Sequence, residues 1–69
     1  KEKEYQSALK EIEEFLKTDD KIMECKFKNA RQTYADQLRM KWGEKIGQTI
    51  LQKDVKGIVE KVYTQRKSI

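Results

Sequence analysis

Apolar side chains recur every three or four positions along most of this chain. Tyr5, Ala8, Leu9, Ile12, Phe15 and Leu16 fall at that spacing with charged residues between them, which predicts a helix over residues 4–17. Its apolar stripe is wide, as expected for a helix that packs on two neighbours. A second run, over residues 20–41, is the longest amphipathic stretch. Wound at about 100° per residue, it aligns Met23, Phe27, Ala30, Tyr34 and Leu38 and sets Lys21, Lys28, Gln32 and Arg39 opposite them. The rest of the chain is expected to pack on that stripe, with Phe15, Phe27, Tyr34 and Ile58 sharing one core.

The breaks between these runs carry their own chemistry. Thr18, Asp19 and Asp20 bear short oxygen side chains that accept hydrogen bonds from the free amides of a following helix, and Glu24 adds negative charge near its positive end. A straight continuation of the second helix sends Lys41 and Lys45 into the stripe and turns Trp42, Ile46 and Ile50 outward. A bend at Trp42 and Gly43 removes that conflict, glycine supplying the backbone freedom. A short helix over residues 44–51 and a last one over residues 54–65 follow, the latter with Asp54 as candidate N-cap and Val55, Ile58, Val59 and Val62 on its stripe. Residues from Thr64 onward read as a polar tail. The expected fold is all-α, a small three- or four-helix bundle forming a single domain over residues 1–69.

Composition narrows the function classes. A chain of 69 residues sits near the size at which a lone core supplies only about 3–5 kcal/mol, so extra burial through self-association or a partner is expected. No apolar run exceeds two residues and 41% of the chain is charged, so no stretch reads as a membrane span or a signal-peptide core. The lone Cys25 forms no intrachain disulfide and no Cys-rich zinc site, which favours a reducing interior such as the cytoplasm. The first residue is Lys1 rather than methionine, which suggests a trimmed or processed product or a piece of a longer protein.

The chain has no histidine, which removes the commonest general base and metal ligand. Cys25 therefore has no activating base in the sequence and reads as an inert thiol. Gly43, Gly47 and Gly57 match no phosphate-loop or dinucleotide spacing. Asp19, Asp20 and Glu24 lack the glycine turn and downstream ligands of a calcium loop, so capping explains them. Neither enzymatic activity nor a cofactor or metal is expected.

Charge is unevenly spread. Residues 1–20 hold four lysines against seven acids, a net −3, whereas the remainder holds twelve basic residues against five acids, a net +7. Such a distribution suits an acidic partner, whether protein or nucleic acid. Arg39-Met40-Lys41-Trp42 echoes the end of a homeodomain recognition helix, but Tyr34, Ala35, Asp36 and Gln37 replace the residues that family carries just upstream, and four matched residues are a chance match. Residues 44–62 have the outline of a helix-turn-helix without glycine in its turn. Lysine outnumbers arginine thirteen to three, and arginine is the usual bidentate phosphate ligand.

The expected function is a non-enzymatic helical binding module that engages a protein partner or itself. Lys21, Lys28, Gln32, Arg39 and Trp42 are the candidate contact residues, Trp42 serving as a core anchor or as an interface hot spot. The alternative is a small basic nucleic-acid-binding protein that meets phosphates through Lys21, Lys28 and Arg39.

Overall fold

The computed structural model describes residues 2–68. It is all-α, a small bundle of three long helices and one short one: α1 (Glu2–Thr18), α2 (Lys21–Glu24), α3 (Lys28–Ile46) and α4 (Gln52–Lys67). The described residues together extend over 35 × 21 × 17 Å. Contacts along the long helices set their directions. Glu11 meets Trp42 and Asp19 meets Tyr34, so α1 and α3 run antiparallel. Tyr5 meets Asp54 and Glu13 meets Lys61, so α1 and α4 run parallel.

The first helix matches its periodicity. Ala8, Ile12 and Leu16 recur every four residues and are fully buried, while Tyr5 and Leu9 pack at the shoulder of that row. Val55, Val59, Val62 and Tyr63 form the corresponding row on α4. Burying such branched side chains is worth roughly 1.5–3 kcal/mol each, the main term that orders so small a chain.

The expected helix over residues 20–41 is instead two helices separated by residues 25–27. Cys25 has φ −83° and ψ 72°, and Phe27 is extended at φ −103° and ψ 147°. The reason lies with Ile22, which is completely buried. In one continuous helix Ile22 would stand about 120–160° away from Tyr34, Leu38 and Trp42. Breaking the helix lets both sets enter one core. The cost falls on Phe27, expected at the centre of the stripe but 79% exposed, and on Ala30, which is also exposed. Phe15 lies at the surface, 37% exposed, and Ile58 is partly buried, so of the four expected core residues only Tyr34 is fully inside.

Asp19 supplies the expected cap, its carboxylate accepting from the Lys21 and Ile22 amides at 3.3 Å each. The bend expected at Gly43 is absent and α3 runs through it to Ile46, because Leu38, Trp42 and Ile46 share one face in the true phase. Termination comes at Gly47, whose φ of 63° lies in the left-handed region glycine enters without strain. The Gln48 amide donates to the Gly43 carbonyl at 3.0 Å and the Gly47 amide to Glu44 at 3.4 Å, a Schellman closure. Gly43 is needed for the reversal itself, since a Cβ there would stand 2.9 Å from the Gln48 carbonyl oxygen. Residues 47–51 are therefore a turn, not the expected helix, and they drop Ile50 into the core. α4 starts earlier than expected, with Leu51 rather than Asp54 at its N-cap, and continues to Lys67.

Candidate functional site

The five candidate contact residues do not form one patch. Lys28, Gln32 and Arg39 share a strip along one shoulder of α3, with Ala35 buried between them, so they border the core and do not face away from it. Lys28 is exposed, and Arg39 donates through Nε to Asp36 at 3.2 Å. Lys21 belongs to α2 and holds its ammonium 5.4 Å from the centre of the Tyr34 ring. Trp42 lies on the side of α3 that meets α1, only 5% exposed, with its indole N–H donating to Glu11 at 3.0 Å.

A different surface forms around Trp42. On the outer side of α1, Ser7, Lys10, Glu11, Glu14 and Phe15 follow one another at helical spacing and wall a groove whose floor is Phe15 and Trp42. The two rings sit 5.5 Å apart at a 55° tilt, the edge-towards-face geometry that aromatic pairs prefer. The groove continues towards the start of α1, where Ser7, Ala8 and Glu11 face Ile46 of α3. It follows the α1–α3 seam from about Lys3 to Phe15, roughly 18 Å at 1.5 Å per residue.

The electrostatics of this seam are asymmetric. From α3, Lys41 holds its ammonium 5.9 Å from the Phe15 ring centre and 5.4 Å from that of Trp42, and Lys45 stands 5.2 Å from Trp42. Among the described residues, Lys10, Lys41 and Lys45 have no carboxylate at ion-pair distance. On the α1 side Glu14 is bound only by the exposed Lys17, at 3.2 Å. Glu13 reaches Lys61 of α4 at 3.2 Å.

Comparison with protein-family models, curated proteins and solved structures finds no match for this chain. Its chemistry is therefore read from its own residues.

The polar centres elsewhere are fully engaged in holding the fold. Arg31 donates to Glu60 at 2.9 Å and to the Cys25 and Lys26 carbonyls at 3.1 Å each, and its guanidinium lies 4.3 Å from the centre of the Tyr63 ring. Arg66 donates to the Leu16 carbonyl at 2.8 Å and to that of Asp19. With Arg39 on Asp36, all three arginines are bound within the chain. Burial pushes the Cys25 thiol above its ordinary pKa, with Lys21 opposing, and its S–H donates to the Lys21 carbonyl at 3.4 Å. The Tyr34 phenol is also raised, by burial and then by its hydrogen bond to Asp19. Hydrogen bonding to Asp54 raises that of Tyr5. These groups hold their protons at neutral pH and act as donors. No helix is long and apolar enough to cross a membrane, and no group of three or more potential ligands could hold a metal, both among the described residues.

Sequence reasoning passed over Phe15, Lys10, Lys41 and Lys45 as contact residues. The available signal was the width of the α1 stripe. Ala8, Ile12 and Leu16 already fill one inward row, which leaves Phe15 for a shoulder.

Proposed function

We propose that this chain is a non-enzymatic helical binding module whose α1–α3 seam takes up a helix of a protein partner. The observation that carries this reading is the 37% exposure of Phe15, whose ring packs at a tilt against the nearly buried Trp42 at the floor of a groove that α4 does not cover. A ring anchored from below loses little freedom on binding, which is what makes aromatic residues effective interface anchors. Trp42 then contributes from beneath, by fixing Phe15.

A designed helical peptide with leucines at i, i+3, i+4 and i+7 is the probe, titrated while amide NMR shifts are followed. The expected shifts concentrate on residues 7–15 and 41–46, and Phe15→Ser weakens binding about tenfold or more. Shifts spread over α4, or none at millimolar peptide, would remove the reading.

A second reading, nucleic-acid binding through Lys21, Lys28 and Arg39, is favoured by one feature. Phe27 stands out of the loop between Lys26 and Lys28, where a base stacks readily. It ranks second because each arginine is already bound internally. Its test is oligonucleotide affinity against salt, where Lys28→Gln with Arg39→Gln lowers the log–log slope by about two.

A further inference from the structure

We infer that the helix pair received by this seam is the same seam of a second copy of the chain, an inference that rests on the protein-binding reading above. A contact between identical surfaces needs both halves of every complementary pair on one face. Here they are sorted onto the two rims. The α1 rim carries Glu4, Glu11 and Glu14 against Lys3 and Lys10, a net −1, and the α3 rim carries Lys41 and Lys45.

Only one two-fold arrangement uses this. An axis across the helices sets α1 on α1 and α3 on α3, so that Lys41 and Lys45 meet their own copies. An axis along the seam sets α1 of one copy on α3 of the other. Heights along the axis are then preserved, and since Glu11 lies level with Trp42 and Asp19 with Tyr34, Lys41 of the second copy falls between Glu11 and Glu14 in height, about 3 Å along the axis from Glu14 and within reach of its side chain. Because α1 and α3 are antiparallel within each copy, the pairs across the interface are antiparallel too, and the four helices form a bundle around both Phe15 rings.

The seam gives the face a length of about 18 Å, and two adjacent helices give it a width of about 20 Å. The buried surface is then about 700 Å² in total, below the range of stable complexes, so association is weak and seen only at high concentration.

Sedimentation of the full chain from about 10 µM to 1 mM at low salt tests this. The unmodified chain dimerises as concentration rises. Glu14→Lys alone is monomeric, as is the double variant Lys41→Glu with Lys45→Glu, because each sets like charges against each other and weakens dimerisation about tenfold or more. An equimolar mixture of the two variants dimerises again, since both contacts become attractive. All three positions are exposed, and unchanged far-ultraviolet circular dichroism verifies folding. Glu14→Gln, which removes the attraction without adding repulsion, gives intermediate affinity. A monomer throughout the range, a dimer insensitive to the swaps, or no rescue on mixing overturns the second-copy inference. The peptide titration above then decides separately whether the seam itself binds helices: shifts in residues 7–15 and 41–46 leave that reading standing, and their absence removes both.

Discussion

The two seams of α1 are closed by different means. Against α4, polar ties stand at both ends and between. Tyr5 donates to Asp54 at 2.5 Å and accepts from the Leu51 amide at 3.1 Å, Glu13 pairs with Lys61 at 3.2 Å, and Arg66 reaches the Leu16 carbonyl at 2.8 Å. Against α3 there is one hydrogen bond midway, from Trp42 to Glu11, and one at the end, from Tyr34 to Asp19, with Phe15 left partly in water. The first seam has its register fixed by several small interactions. The second leans on a single large side chain, and the apolar surface left over there is what makes it a candidate interface.

The comparison breaks most directly at Trp42. Trp42→Ala should cost about 3–5 kcal/mol, enough to unfold a domain of this size, because it opens a cavity between α1 and α3 and removes the ring on which Phe15 rests. Urea denaturation measures this, and a loss under about 1 kcal/mol would mean that the α1–α3 seam does not depend on it. Next comes the closed seam. Arg66→Ala leaves the Leu16 and Asp19 carbonyls without their charged donor, with an expected loss of about 1.5–3 kcal/mol in the same assay.

A smaller effect separates the seams by pH. Tyr34 and Tyr5 have folded-state pKa values raised above about 10, so the stabilisation they give is fully present below pH 10 and is lost as pH rises through the folded values. Thermal melting should be steady up to about pH 10 and fall above it. Tyr34→Phe should lose about 1 kcal/mol at neutral pH and show a shallower alkaline decline. An equally steep decline would assign the alkaline lability to other groups. Smallest of all is Phe27→Ala, expected within about 0.5 kcal/mol of the unmodified chain because its ring is in solvent. A loss above 2 kcal/mol would put Phe27 back in the core.

The fold class and α1 were legible because Ala8, Ile12 and Leu16 obey one phase from end to end. The middle of the chain was not, because two helices with different phases abut. Met23 and Phe27 extend the row of Tyr34 and Leu38 by coincidence of spacing, and Ile22, which belongs inside, falls on the wrong side of that fictitious helix. The misphased stripe also made Lys41 and Lys45 look buried and prompted a bend at Gly43 that α3 does not make. Of the candidate site, Trp42 was legible as an anchor, and the width of the α1 stripe marks Phe15 as a shoulder residue without saying whether a neighbouring helix covers it. That depends on where α4 settles, a matter of residues some 40–50 positions away.

The hydrogen bonds of Arg66 reach back 50 and 47 positions to Leu16 and Asp19. Residues 1–51 alone hold neither the donor for those two carbonyls nor the Val55, Val59 and Val62 row of the core. Contacts of such sequence separation slow folding, because the loop between them must close before they form. A chain cut before Val55 therefore lacks the row that packs on Ala8, Ile12 and Leu16, whereas one cut just before Arg66 keeps that row and loses only the two carbonyl contacts.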